Sequence, residues 1–161
     1  MVTSIDVIKA LTIQCRSLLG CDVNDRDISE GFDRPSFFVE INDFDGDDIG
    51  ERLKADTYNI SISYFNEKRK TGYLELLKSR EALREMLAKP IKVSEGFSIT
   101  ADDIPEETIN KADMTYITTF DVSIRQFRDD IDAPYMEELQ YTGNLPVDAQ
   151  DDFATDADDD F

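Results

Sequence analysis

The chain has 161 residues, the length of one domain, and 40% of them are hydrophobic, which is enough for an ordinary core. Its formal net charge of −19 opposes binding to nucleic acid or to an anionic membrane, because like charges repel. The absence of histidine removes the commonest general base and every zinc site that mixes histidine with cysteine.

The first predicted element is an amphipathic helix over residues 3–19, capped by Thr3 or Ser4 and ended by Gly20. Cys15 lies on its apolar stripe, so core packing is favoured over a nucleophilic role. With Cys21 it makes two cysteines, too few for a disulfide framework. The opening MVTSIDVIKAL has no uninterrupted apolar run, so a soluble intracellular protein without a signal peptide or membrane span is expected.

The stretch GFDRPSFFVEI, residues 31–41, predicts a turn that leads into a strand. Pro35 has no amide hydrogen and disfavours helix just before it. Phe37, Val39 and Ile41 then alternate with other residues at period two, so we expect a strand over residues 36–42.

The segments on either side of this strand have weaker patterns. Residues 22–29 predict a short strand, with little apolar alternation. NDFDGDDIGE, residues 42–51, predicts a polar turn or loop in which Gly46 and Gly50 are the flexible points.

KADTYNISISYF, residues 54–65, has the clearest strand pattern, with one apolar and one polar face. The apolar face has Tyr58, Ile60, Ile62 and Tyr64, and the polar face has Thr57, Asn59, Ser61 and Ser63. Helical spacing returns over residues 69–88, before Pro90. Its stripe is Tyr73, Leu76, Leu77, Leu83 and Leu87.

Three segments complete the domain. PIKVSEGFSI, residues 90–99, predicts one strand or a broken strand, and ADDIPEETINKAD, residues 101–113, predicts a polar connector. MTYITTFDVSIRQF, residues 114–127, alternates again and predicts a long strand. Its predicted core face is Met114, Tyr116, Phe120, Val122 and Ile124.

This order of elements predicts an α+β fold: one mostly antiparallel sheet of four to five strands, with two helices packed on one face. The connection between strands 36–42 and 54–65 has no helix signal, which favours antiparallel pairing of the two. Residues 1–128 are expected to form the single domain, and residues 129–143 a C-terminal arm.

Residues 144–161 are predicted to be an acidic low-complexity tail, disordered or docked on a partner. From Asp129 to Phe161 there are twelve acidic residues and no lysine or arginine, whereas the first 128 residues have 24 acidic and 17 basic residues. Removal of residues 144–161 should leave the thermal stability of the domain unchanged, because this tail has few large apolar side chains to bury.

No catalytic, metal or cofactor motif appears in the chain, and no glycine-rich phosphate loop is present. DFDGDDIGE, residues 43–51, resembles a calcium loop only superficially. With Gly46 at the sixth position of such a loop, Ile41 would be the first ligand and Arg52 the last, and Gly50 fits no better. We therefore predict no catalytic residues, no metal and no cofactor. A paired-carboxylate hydrolase stays open as a distant alternative, since nothing marks two carboxylates as facing a pocket.

The candidate functional residues form a contact surface. EKRK, residues 67–70, is the one tight basic cluster and is expected to be a solvated rim at a helix start or a contact for an acidic neighbour. Most aromatic residues are expected in the core, but those near Pro35 and in residues 135–141 are less well explained by it and favour a subunit or partner interface. The candidates are Phe32, Arg34, Pro35, Phe38, Lys68, Arg69, Lys70, Tyr135, Met136, Leu139 and Tyr141.

Over residues 3–143 the sequence resembles the tail terminator family of bacteriophages and of related tail-like particles of Gram-positive bacteria. The most specific part of the resemblance is the segment G-F-x-x-P-x-F-F-V. It is filled by Gly31, Phe32, Pro35, Phe37, Phe38 and Val39. The second part is the closing MEELQYTG, residues 136–143, whereas the acidic tail after it lies outside the resemblance.

The resemblance implies a structural role without catalysis or cofactors. Proteins of this family form a hexameric ring that caps the head-proximal end of the tail tube, ends tube growth and offers a docking surface to the neck. The implied partners are further copies of the chain, the tail tube protein, a sheath protein in contractile tails, and a neck or connector protein. The implied location is the virion tail, assembled in the cytoplasm of the bacterial host, with DNA at most passing through the lumen.

Two other classes of function stay open at this point. One is a neck or head–tail joining protein of similar fold. The other is an acidic DNA mimic that inhibits a nucleic-acid enzyme, which the net charge of −19 favours and the uneven distribution of that charge opposes.

Overall fold

The computed structural model describes residues 1–24, 33–49 and 52–127. Their elements, in chain order, are α1 (Ser4–Leu19), β1 (Asp22–Val23), β2 (Ser36–Ile49), β3 (Leu53–Phe65), α2 (Tyr73–Leu87), β4 (Ile91–Ser94), β5 (Phe97–Ile99), β6 (Glu106–Asn110) and β7 (Thr115–Phe127).

Helix α1 begins and ends as its sequence predicts. Thr3 and Asp6 form a reciprocal capping box, in which the Thr3 amide donates to the Asp6 carboxylate and the Asp6 amide donates to the Thr3 hydroxyl. Gly20 ends the helix in the left-handed conformation, with φ of 63°. Within the described ranges, no helix is long and apolar enough to cross a membrane.

The described strands form a five-stranded sheet in the order β1-β2-β3-β7-β6. Strands β2, β3, β7 and β6 pair antiparallel, and only the short β1 lies parallel to its neighbour β2. Strands β4 and β5 form a separate hairpin whose turn contains Gly96 with φ of 78°. The predicted α+β fold and the antiparallel pairing of β2 with β3 are therefore confirmed, whereas the segment 90–99 is a two-stranded hairpin and not one strand or a broken strand.

The core lies between one face of the sheet and the two helices. The predicted apolar faces of β3 and β7 are buried here, as are Leu76, Leu83 and Leu87 of α2. Cys15 is fully buried in the same cluster, and Cys21 is buried beside it. Burial raises the pKa of the Cys15 thiol to about 12, with a smaller contribution from Cys21, so neither the position nor the ionisation of Cys15 suits a nucleophile.

Strand β2 continues through residues that the sequence predicts as a loop. The prediction for residues 42–51 is wrong as far as Ile49, because this segment pairs with β3 from Asp43 opposite Asn59 to Ile49 opposite Leu53. A bulge between Ile41 and Asp43 shifts the register at the start of the segment. Pairing with β3 satisfies the backbone hydrogen bonds, which offsets the low strand propensity of aspartate and glycine.

Two further boundaries differ from the prediction. Residues 106–110 of the predicted polar connector are strand β6, paired with β7 from Glu106 opposite Thr119 to Asn110 opposite Thr115. Helix α2 begins at Tyr73 instead of residue 69, with Gly72 as its N-cap. Of the short strand predicted over residues 22–29, the structure has Asp22–Val23, and the rest of that segment lies outside the described residues.

Glu107 on β6 joins helix α2 to the sheet. Its carboxylate accepts hydrogen bonds from Arg80 Nε and Nη2 at 3.0 and 2.6 Å, and Arg84 Nε lies 3.4 Å away. It also accepts a 3.0 Å hydrogen bond from the hydroxyl of Tyr116, which is fully buried. Burial raises the pKa of Tyr116 to about 12, and the hydrogen bond to Glu107 adds to this shift.

Candidate subunit interface

The structure describes six of the eleven candidate interface residues. Arg34, Pro35 and Phe38 lie at the start of β2, and Lys68, Arg69 and Lys70 lie in the loop between β3 and α2. The other five, Phe32, Tyr135, Met136, Leu139 and Tyr141, lie outside the described residues.

Arg34 connects its own loop before β2 to the loops after β3 and before β7, at one end of the sheet. Its Nη1 donates to the carbonyl oxygens of Asn66 at 3.0 Å and Asp113 at 2.7 Å, and its guanidinium lies over the Phe65 ring, 5.8 Å from the centroid. The bond between Arg34 and Pro35 is cis. Arg34 is therefore held in place by its own chain, while Pro35 beside it is exposed.

Asn66 organises the loop that carries the basic cluster. Its side chain is 2% exposed, donates to the Gly72 carbonyl at 2.9 Å and lies 3.4 Å from the Tyr64 hydroxyl. Its backbone amide donates to the carbonyl of Met114. A buried amide with all of these partners fixes both ends of the loop, so the loop has a defined shape ahead of α2.

A Gly72→Ala variant should lose about 1–3 kcal/mol of unfolding free energy, because the new Cβ would overlap Asn66 Nδ2 and break its buried hydrogen bond. Chemical denaturation measures this loss. Thr71→Ala, at the neighbouring exposed position, is the matched control and should change the unfolding free energy by less than about 0.5 kcal/mol. Equal stabilities of the two variants would contradict the role of Asn66.

The loop places a basic cluster beside Arg34. Lys68, Arg69 and Lys70 are exposed, and they precede α2 instead of forming its first turn. The pKa of Arg34 is lowered mainly by burial and then by the positive charge of Arg69. Lys111, in the turn before β7, lies over the Tyr73 ring at 5.4 Å. We call Arg34, Lys68, Arg69, Lys70 and Lys111 the basic end of the sheet.

The sheet face opposite the helices is polar along most of its length. A ladder of side-chain hydrogen bonds crosses the strands on this helix-free face, and half of its bonds join β3 to β7. The bonds are Asn42 to Asn59 and Ser61, Asn59 to Asp121, Ser61 to Thr119, Thr57 to Ser123, and Ser123 to Asp102, all between 2.6 and 3.2 Å. The face is thus a rigid, hydrophilic surface with carboxylates at Glu40, Asp43 and Asp121.

Phe38 lies on this helix-free face near the basic end. It is half-buried, in one cross-strand row with Ser63 of β3 and Ile117 of β7. Phe38 is thus outside the subunit's own core, whose β2 members are Phe37 and Val39. An apolar pair, Phe38 and Ile117, at the rim of a polar face is typical of a contact surface.

The sequence pattern misses the surface formed by the C-terminal half of β2 and the N-terminal half of β3. Asp43–Ile49 and the facing Leu53–Asn59 contain five carboxylates and one lysine, Lys54, which pairs with Asp56 at 2.9 Å. We call these two segments the acidic ribbon. Aspartates at every second position, Asp43, Asp45 and Asp47, are the sequence signal that could have indicated a strand here.

The ribbon does not have the geometry of a metal centre. Asp43, Asp45 and Asp47 alternate with residues that point to the other face, so consecutive members lie roughly 7 Å apart along the strand. Among the described residues, no group of three histidine, cysteine, aspartate or glutamate side chains is placed to hold a metal ion. The chemistry that this surface supports is charge complementarity with a protein partner.

Comparison with known proteins agrees with a structural role in a tail. No protein among curated sequences matches the chain. The model of one family, described as phage tail terminator protein, matches residues 6–134, which is most of the chain and includes all the described elements apart from the first two residues of α1. A structural role in the virion tail, in contact with other tail proteins, follows from this match. The chain belongs to the phage tail terminator family.

Proposed function

We propose that the protein forms a homo-hexameric ring that caps the head-proximal end of the tail tube, ends the growth of the tube and of any sheath, and offers a docking surface to the neck. The observation that carries this proposal is the family match over residues 6–134. The proposed partners are further copies of the chain, the tail tube protein, and sheath and neck proteins. Assembly takes place in the host cytoplasm.

Ring formation requires two different surfaces on each subunit that fit each other, because a ring is closed by heterologous contacts. The sheet offers two such surfaces at its opposite ends, one basic and one acidic. The candidate contacts at Arg34, Pro35, Phe38 and Lys68–Lys70 lie at or beside the basic end. The five candidates outside the described residues stay part of the prediction.

The helix-free face supports a role for the ring as a passage for DNA. Its hydrogen-bonded ladder is hydrophilic, and its carboxylates Glu40, Asp43 and Asp121 repel phosphate groups. A lumen lined by this face would let DNA pass without binding it, since each carboxylate opposes the close approach of a phosphate.

Binding to tube ends tests the proposal. Labelled protein mixed with assembled tail tubes should appear at tube ends in negative-stain micrographs as a ring of the tube's diameter. A Phe38→Asp variant should bind tube ends or its own copies about tenfold more weakly, because it places a charge on an apolar side chain of the proposed contact surface. Ile5→Asp, an exposed apolar position on α1 away from this surface, is the matched control. Binding along the tube wall, or no binding, would contradict the proposal.

One observation favours a second candidate, the DNA mimic. Asp43, Asp45 and Asp47 form a regular row of carboxylates on a folded strand, as a mimic requires. The basic end opposes this function, because it would repel the basic surface of a nucleic-acid enzyme. Competition with DNA for such an enzyme, in the absence of any binding to tube ends, would favour the mimic over the terminator.

A further inference from the structure

The acidic ribbon is an unusually open part of the fold. Every β2 residue from Asn42 to Ile49 is exposed, and Phe44, whose side chain lies on the helix side of the sheet, is 75% exposed. Strand β1 covers only Ser36 and Phe37, so among the described residues no strand pairs with the outer edge of β2 beyond them. A strand edge of this length, with exposed apolar side chains at Phe44 and Ile49, is a ready surface for another chain.

The charge of the ribbon selects the kind of chain that can dock there. Its five carboxylates outnumber its one lysine, Lys54, which pairs with Asp56. Two arginines lie beside the ribbon: Arg52 in the turn before β3, and Arg125 of β7, which shares a cross-strand row with Asp47. Negative charge is still in excess, which favours an occupant that presents cations. The net charge of this protein is −19, and an acidic surface of a second copy would be repelled by the ribbon, because like charges repel.

The same molecule has a matching surface at the other end of its strands. The basic end has five cations, and Asp33, Glu67 and Asp113 are the acidic residues in the described parts of the same loops. Lys68, Arg69 and Lys70 are exposed on a loop whose shape is set by the buried Asn66, so the cations are presented on a rigid support. Rigid presentation lowers the entropy cost of forming a contact.

The two surfaces cannot meet within one subunit. Strand β2 runs from the basic end at Ser36 to the far end of the ribbon at Ile49, which is roughly 40 Å at about 3.3 Å per residue. The complementary surfaces are thus at opposite ends of one rigid sheet, which is the arrangement that a head-to-tail contact between copies requires.

We propose that the acidic ribbon of one copy docks on the basic end of the next copy, and that this head-to-tail contact joins neighbouring subunits. The inference rests on the proposed ring function and adds the residues and the chemistry of the contact. Asp43, Asp45 and Asp47 meet Lys68, Arg69 and Lys70 of the neighbour, and Phe44 and Ile49 supply the apolar part of the interface.

A charge-swap experiment on the full-length protein tests the contact. The ribbon variant is Asp45→Lys with Asp47→Lys, and the end variant is Lys68→Glu with Arg69→Glu; all four positions are exposed. Alone, each variant places like charges at the contact, so its self-association, measured by sedimentation velocity with and without tail tubes, should weaken at least tenfold. Mixed in equal amounts, the two variants should assemble again in alternation, because every contact in an alternating ring then joins opposite charges.

Salt dependence and a matched variant are the controls. Wild-type association should be weaker at about 1 M than at about 0.01 M salt, where the Debye lengths are about 3 and about 30 Å. Glu95→Lys with Asp103→Lys makes the same charge change as the ribbon variant at exposed positions outside both surfaces and should assemble as wild type does. Circular dichroism verifies folding, and Asp45→Asn with Asp47→Asn replaces the ribbon variant if that variant unfolds.

The outcomes separate this inference from the proposed function. If the wild-type protein forms rings and each variant alone assembles equally well, the proposed head-to-tail contact is wrong while the ring function stands. The same conclusion follows if the mixture of the two variants fails to reassemble. A ribbon variant that still self-associates but no longer binds tubes would overturn the head-to-tail contact in favour of the tube protein as the occupant. Wild-type protein that neither self-associates nor binds tube ends would overturn both.

Discussion

A Phe37→Ala variant is expected to lose about 3–5 kcal/mol of unfolding free energy, a large share of the roughly 5–15 kcal/mol that stabilises a typical domain. Phe37 is 0% exposed and lies opposite Tyr64 of β3, at the point where β1 also pairs with β2. Removal of its ring leaves a cavity between the sheet and the helices, which the surrounding strands cannot close. Urea denaturation followed by circular dichroism measures the loss.

Phe44→Ala is the matched control for this prediction. Phe44 is on the same strand and the same side of the sheet, but it is 75% exposed, so its truncation should change the unfolding free energy by less than about 0.5 kcal/mol. Similar losses for the two variants would show that the ribbon is buried in the free subunit. That result would contradict the burial pattern of β2.

Alkaline pH is expected to destabilise the domain by about 4 kcal/mol at pH 11, relative to pH 8, through two buried groups. Burial raises the pKa of Cys15 from 9.0 and that of Tyr116 from 10.0, each to about 12. Both groups are neutral when protonated, so the folded state keeps its protons while the unfolded state releases them. Stability is therefore full below about pH 9 and falls by about 1.4 kcal/mol per pH unit for each ionised group until pH reaches about 12.

Urea denaturation at a series of pH values from 8 to 11, under reducing conditions, measures this dependence. A Tyr116→Phe variant removes one of the two groups, so the slope of its unfolding free energy above pH 10 should be less steep by about 1.4 kcal/mol per pH unit. Its stability at pH 8 also reports the hydrogen bond from Tyr116 to Glu107. An unfolding free energy that stays constant up to pH 11 would contradict the burial of both groups.

The sequence predicts best those elements whose two faces meet different surroundings. Strands β3 and β7 alternate along most of their length, because one face contacts the helices and the other carries the polar ladder. Helix α1 has its capping box and its terminal glycine within the local sequence, so both ends were predictable. In each case the signal is local, at period two or 3.6.

The far half of β2 lacks an apolar face, because both of its faces are exposed, so the alternation of Asp43, Asp45 and Asp47 is its one signal of a strand. Asp43–Ile49 is a strand through its backbone pairing with β3, whereas its composition of aspartate and glycine is typical of a turn. The close approach of Asp56 on β3 favours glycine at position 46, since a Cβ there would lie 3.1 Å from the Asp56 carboxylate. Strand β6 was missed for a similar reason, because Glu106–Asn110 is polar and joins the sheet through β7.

The candidate interface depends on contacts that are distant in sequence. Arg34 donates to carbonyls that lie 32 and 79 residues further along the chain, at Asn66 and Asp113. Local sequence patterns do not report contacts between residues that are distant in sequence. The sequence therefore indicated Arg34 and the basic cluster as separate candidates and could not show that they form one surface. The opposite charges at the two ends of β2 become visible only when the strand is known to run to Ile49.

The proposed role of this protein is to end the growth of the tail tube, and a regrowth experiment measures that role. Preassembled tubes are incubated with the protein, supplied with fresh, differently labelled tube protein, and imaged to record new growth at each end. We expect an end that carries a ring of this protein to gain no new tube, while untreated ends and ends exposed to the ribbon variant continue to elongate. New growth from ring-bearing ends at the rate of untreated ends would show that the protein does not end tube growth.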